Sequence, residues 1–240
     1  MKGSERHRLK ENELSHVLGD ASARFQENRT TYGLALGILA LVLVAGIGYW
    51  AWTTRSENRA QALLGDAIVV MQAPVEDAKP GAKPGVSSYP TVQARAEAAL
   101  AKFGEVYTAY PSTEAGIAAR YYAASALGML GRHEEAASRF REVADRAGSN
   151  SFYGRMAQLG VVETTAQAKK YDEAISAAQA LVNNTSDDTI PRDALLMELG
   201  RVQAAAGKKT EAKQTLDKVI ADFPDSPYVE EAKRMIAELT

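Results

Sequence analysis

The chain of 240 residues contains no cysteine, so it can hold neither a disulfide framework nor a thiolate metal site, and the redox character of its compartment stays open. Histidine is nearly absent too, with His7, His16 and His133 as the three. His133 stands beside Glu134 and Glu135 in a turn, where no nucleophile or orienting acid accompanies it and water is poorly excluded. No metal-ligand spacing, glycine-rich phosphate loop or serine elbow occurs, so neither an enzyme, a cofactor nor a metal is expected. No sign of charge dominates. The formal net charge is −2, and the basic clusters that release counterions from phosphate are missing, which argues against a nucleic-acid partner. Aromatics amount to 7% and β-branched runs are rare, whereas alanine is abundant. That balance favours helices packed closely through small side chains, and the expected fold class is all-α. The carboxylate pairs Glu134/Glu135 and Glu230/Glu231 read as solvated helix starts.

Charge is also missing between Thr30 and Thr54. Tyr32 to Trp52 gives 21 mostly apolar positions, enough at about 1.5 Å per residue to cross a hydrocarbon layer of ~30 Å. Tyr32 at one end, and Tyr49, Trp50 and Trp52 at the other, stand where amphipathic rings prefer the headgroup level. A buried core helix would not be apolar on every face in so small a domain. A cleaved secretory signal fits poorly, because the run is too long and bulky rings occupy the place of small cleavage-site residues. Residues 31–54 therefore read as one transmembrane helix. Lys2, Arg6, Arg8, Lys10, Arg24 and Arg29 precede it, against Arg55 and Arg59 after it, a bias that keeps the N-terminus in the cytoplasm. The expected location is a bacterial inner membrane, single-pass, with the following domain in the periplasm. Gly33 and Gly37 form a small-xxx-small pair, a candidate for membrane helix pairing and homo-oligomerisation. Residues 1–30 form a cytoplasmic leader whose Leu14, Val17, Leu18, Ala21 and Phe25 recur at helical spacing. An amphipathic helix on the membrane or on a partner competes there with a weakly ordered tail.

Beyond the span, four segments align without gaps, at 96–111, 133–148, 171–186 and 209–224. Their shared alanines, Ala99, Ala136, Ala174 and Ala212, lie 37, 38 and 38 residues apart, a period that means a solenoid of helical hairpins. Four residues after each alanine come Phe103, Phe140, Ala178 or Leu216, and three further Val106, Val143, Leu181 or Val219. Each segment reads as the second helix of a pair, with alanine at the close crossing and a larger residue filling the space beyond. First helices are expected at 114–130, 155–168 and 192–206. Gly131 and Gly207 suit the positive φ that ends such a helix, and Lys169 stands in the same place less comfortably. Residues 74–91 hold four prolines and two glycines and read as a linker. The first repeat must then find its partner in residues 55–73, whose Ala60, Leu63, Leu64, Ala67 and Val70 share a stripe. Residues 92–240 make the repeat domain, closed by a capping helix with Ser226 as N-cap and Pro227 at its first position.

Ala124, Val162 and Gly200 in the first helices, the turn, the alanine, the ring or leucine, and the closing Pro111 and Pro224 resemble the tetratricopeptide repeat over about residues 92–240. The chain departs from that pattern at Arg120, Gln158 and Leu196, where a large aromatic is usual, and at Ala178, where a ring is expected. The layout of leader, single span and about three and a half repeats resembles the YfgM-type family of ancillary Sec translocon subunits. The stretch 110–127 is also similar to repeats in outer-membrane assembly lipoproteins, which carry a lipidated cysteine, and in Tol-Pal accessory proteins. The resemblance implies a membrane-anchored interaction scaffold whose partners are proteins: translocon subunits, chaperones or unfolded chains. In such solenoids the first helices line the concave face, which places Tyr121, Ser125, Met129, Met156, Leu159, Glu163, Met197 and Arg201 as the partner-binding residues. Methionines and tyrosine there would form an adaptable surface for apolar segments.

Overall fold

A computed structural model describes residues 29–75, 88–148, 150–184 and 189–240. The leader helix expected within residues 1–30 and most of the proline-rich segment lie outside the described residues. Among the described residues there are nine helices: α1 Arg29–Gln72, α2 Val92–Ala109, α3 Glu114–Met129, α4 His133–Ala147, α5 Phe152–Gln167, α6 Tyr171–Asn183, α7 Arg192–Ala205, α8 Lys209–Asp222 and α9 Val229–Glu238. The chain divides into two units, one ending at Arg55 and one beginning at Ser56.

In the first unit the described residues are helical throughout, and the large apolar side chains from Leu34 to Trp52 are 56–71% exposed. The most apolar stretch has a mean hydropathy of 2.2, and α1 is long and apolar enough to cross a membrane. The span expected at 31–54 and the helix expected at 55–73, which the sequence allows to run on from it, both fall within α1. Residues 50–60 contain neither proline nor glycine, and the Thr53 and Thr54 hydroxyls both donate to the Trp50 carbonyl at 2.9 Å, so they satisfy themselves inside the helix.

The second unit is a run of helical hairpins in which each helix from α2 onward packs on the next, and α3 also touches α5. Ala67 of α1 is fully buried against Ala99 and Phe103 of α2 and Ala119 and Ala123 of α3. Glu57 extends this contact, its carboxylate accepting from the Glu114 and Ala115 backbone N–H groups at 2.9 and 3.0 Å and so capping the start of α3. The ends of the proline-rich segment meet: Tyr89 N–H donates to the Pro74 carbonyl at 3.0 Å, and the Arg95 guanidinium to the Ala73 carbonyl at 2.9 Å.

Within the repeats the hairpin turns share one construction. Arg132, Lys170 and Lys208 N–H donate to Leu127, Thr165 and Gln203, while Gly131, Lys169 and Gly207 N–H donate to Gly128, Ala166 and Ala204. These are paired C-terminal caps that require a left-handed residue, and φ is 72°, 61° and 75° at Gly131, Lys169 and Gly207. Between repeats, Thr113 and Ser151 cap α3 and α5 by accepting from Gly116 and Gly154 N–H, each at 3.0 Å. A Cβ at Gly116 or Gly154 would lie 1.9 or 2.0 Å from the carbonyl oxygen of Tyr110 or Gly148, so only glycine admits this tight corner. Helix α5 starts at Phe152, three residues ahead of the expected 155, because Ser151 supplies the cap. Helix α9 starts at Val229 and not at Pro227; the Ser226 hydroxyl accepts from Tyr228 N–H at 3.2 Å in a turn that precedes it.

The small residues of the first helices sit under the large residues of the second. A Cβ at Gly200 would fall 2.7 Å from Leu216, and one at Gly160 2.8 Å from the Phe140 ring. In the third repeat the sizes are exchanged: Val162, fully buried, and Ala178 occupy the corresponding places, and both belong to the core that runs from α5 to α9.

Candidate protein-interaction groove

The first helices present their outer turns side by side because α3 and α5 contact each other directly. Between them lies an open groove of about 270 Å³, lined by Tyr121, Ser125 and Met129 of α3, Phe140 of α4, and Met156, Leu159, Glu163 and Gln167 of α5. A second groove of about 310 Å³ continues between α5 and α7, lined by Glu163, Ala166 and Gln167 on one side and by Glu198, Arg201 and Ala205 on the other. Six of the eight residues placed on the concave face, Tyr121, Ser125, Met129, Met156, Leu159 and Glu163, line the first groove, and Arg201 lines the second. Met197 is the exception and is corrected: it is 0% exposed and packs in the core. Helix α7 packs between α6 and α8, and Met197 points into that core, whereas Arg201, one turn on, reaches the groove.

The walls of the first groove are held from beneath by rings. Tyr121 meets Phe140 edge-on at 5.4 Å between centroids, Tyr122 at 5.5 Å and Tyr153 at 5.8 Å. Tyr153 in turn meets Phe152 at 5.4 Å, and Phe152 is 61% exposed. Burial pushes the Tyr121 hydroxyl above its ordinary pKa, with Glu163 and Tyr122 adding to the effect. Phe152 lies one turn before Met156, outside the helix expected from 155 and outside the lining of either groove.

Electrostatically, Arg201 is engaged from two sides, by Glu231 at 2.8 Å and Glu198 at 3.3 Å. Glu231, in the first turn of α9, is thus also a partner of Arg201. Glu134, Glu135 and Glu230 are exposed in the first turns of α4 and α9, as expected of solvated helix starts, and each has a cation beside it: Lys170 at 2.6 Å for Glu134, Arg132 for Glu135 and Lys233 for Glu230. The departure at Arg120 has its own solution. Arg120 is 6% exposed, donates to Glu142 at 2.8 Å and lies over the Tyr107 ring at 4.8 Å, a packing that a larger aromatic would otherwise supply.

His133 opens α4, and among the described residues no group of three or more histidines and carboxylates is placed to hold a metal ion. Gly33 and Gly37 lie in the first unit, where a Cβ at either would meet open space.

Residues 165–236 match the family model for the tetratricopeptide repeat. No curated protein matches the chain. Among solved structures it is similar to the crystal structure of nearly identical TPR-like repeats from Podosopora anserina, described as a kinesin light chain, with a TM-score of 0.57 and 16% identity over 75% of this chain and 85% of that one. A single-residue variant of that protein gives the same TM-score and identity, over 75% and 84% of the two chains. The likeness is one of fold: the described repeats form a TPR-like helical solenoid, an architecture that typically binds proteins and carries no catalysis.

Proposed function

We propose that this protein is a membrane-anchored interaction scaffold, held by residues 31–54 of α1 and binding segments of other proteins in its repeat groove. The observation that carries the reading is the groove itself, where Tyr121, Met129, Met156 and Leu159 offer apolar surface to solvent on rigid helices. The anchor is supported by the exposed side chains from Leu34 to Trp52, since a helix apolar on every side lowers its free energy by entering lipid. The finer reading places the N-terminus in the cytoplasm and the repeats in the periplasm of a Gram-negative bacterium, beside the Sec translocon, with translocon subunits, periplasmic chaperones or emerging chains as partners. It is supported by the six basic residues before the span against two after it, and by the YfgM-type layout. Self-association as an envelope-assembly accessory is the alternative, favoured by the open helix surface at Gly33 and Gly37.

Affinity purification from detergent-solubilised membranes of the native organism, with a C-terminal tag, tests the scaffold. Translocon subunits or chaperones recovered with the wild type should be lost with Met129→Ala/Met156→Ala/Leu159→Ala, which leaves the buried Met197 intact. Recovery of the protein with itself alone, after mild cross-linking, decides for self-association.

A further inference from the structure

Glu163 is the charged residue among those lining the α3–α5 groove, and it also opens the α5–α7 groove. Methionine, leucine and tyrosine surround it on the first side. Among the described residues it has no hydrogen bond or ion pair, although it stands within electrostatic reach of Tyr121, Glu198 and Arg201. The cation nearest in the lining, Arg201, is already held between Glu198 and Glu231. The two grooves together with Glu231 therefore carry three carboxylates and one guanidinium, and the unneutralised charge sits at Glu163.

Resting on the scaffold reading, we propose that the α3–α5 groove selects apolar peptide segments that carry a lysine or arginine, the cation settling on Glu163 while apolar neighbours lie on Met129, Met156 and Leu159. The groove volume of about 270 Å³ falls below the roughly 300–1,000 Å³ of small-molecule pockets, and the groove is open along its length, which suits side chains of an extended or helical segment. A lysine or arginine stem is itself apolar and lies well along methionine and leucine while its head reaches a carboxylate. The environment of Glu163 agrees with this: partial burial, with Glu198 adding to it and Arg201 opposing it, holds its carboxyl above the ordinary range. A cation delivered by a peptide relieves that condition, and an acidic segment aggravates it. The grooves of this chain thus discriminate by repulsion as well as attraction.

The test uses the full chain in detergent and three fluorescein-labelled twelve-residue peptides, identical in their leucines and alanines, with lysine, serine or glutamate at the three variable positions. Fluorescence anisotropy should rank them lysine, serine, glutamate. Glu163→Gln should weaken the lysine peptide about tenfold with little effect on the serine peptide, and Glu163→Lys should invert the order of lysine and glutamate peptides. Melting of each variant by circular dichroism at a temperature no lower than wild type secures the comparison, since Glu163 lies at the groove surface. Equal binding of all three peptides, lost with Met129→Ala/Met156→Ala/Leu159→Ala, overturns the charge selection and leaves the groove as an interaction site. Absence of binding by every peptide counts against both.

Discussion

Lys169 is held at φ 61° in the turn between α5 and α6, where the equivalent turns use Gly131 and Gly207. A side chain in the left-handed region costs about 1–2 kcal/mol, part of which glycine gives back through its greater freedom in the unfolded chain. Lys169→Gly should therefore stabilise the repeat domain by about 0.5–1 kcal/mol in chemical denaturation, while Lys169→Ala should leave it unchanged. Two carboxylates make opposite statements about pH. Burial works against the charge of Glu142, but Arg120, Arg139 and Arg146 together outweigh it and hold its carboxyl below the ordinary range. Its contribution to stability is complete above the unfolded value of about 4.3 and is lost as pH falls through the depressed folded value. For Glu163 the folded value is raised, so its charge costs stability above that value, and the cost disappears as pH falls toward about 4.3. Glu142→Gln should accordingly melt below wild type at pH 7, with the gap closing only in acid beyond the ordinary carboxylate range. Glu163→Gln should melt slightly above wild type at pH 7, and its gap should close at a higher pH. Parallel pH series for the two variants would refute the assignment.

The helix period was legible because alanine and a larger residue recur at a spacing that no loop would keep: Ala136 with Phe140, Ala212 with Leu216. The turns were legible through Gly131 and Gly207. Met197 was not, since a repeat register places a residue on a face without saying what the neighbouring helices cover. Glu57 was invisible for another reason: it caps α3 from 57 residues away, and nothing local in EN or in STEA announces the meeting. The third repeat, whose Ala178 departs from the family pattern, shows how the element tolerates the change. Residues 16 apart face each other in Gly200 and Leu216, and the same register sets Val162 over Ala178, so the larger side chain has moved to the other helix. Ala178→Leu alone should overpack and destabilise by about 1–3 kcal/mol. Val162→Ala alone should leave a void worth about 1–2.5 kcal/mol. Combined, they restore the arrangement of Ala124 and Phe140, and the double variant should be more stable than the sum of the singles by at least about 1 kcal/mol. Simple additivity would mean the two side chains do not share a space.

At the scale of the whole molecule the chemistry of recognition and the place where it acts are separate questions, because the groove residues lie in the unit that begins at Ser56 and the apolar stretch in the unit that ends at Arg55. A periplasmic groove meets chains that have crossed a membrane, and a cytoplasmic one meets chains that have not, so the orientation decides which partners are available. The absence of cysteine makes this directly measurable, since any single cysteine introduced is the sole thiol of the chain. Lys209 is exposed at the start of α8, and Lys10 lies in the leader. On the proposed orientation a membrane-impermeant maleimide added to spheroplasts should label Lys209→Cys at once, and should label Lys10→Cys only after the membrane is opened. The inverse pattern would put the groove in the cytoplasm and remove periplasmic chaperones from consideration, while the peptide preference at Glu163, being a property of the groove, would stand unchanged. Labelling of both sites in sealed spheroplasts would mean that residues 31–54 do not separate them across a bilayer, and the anchor itself would then have to be abandoned.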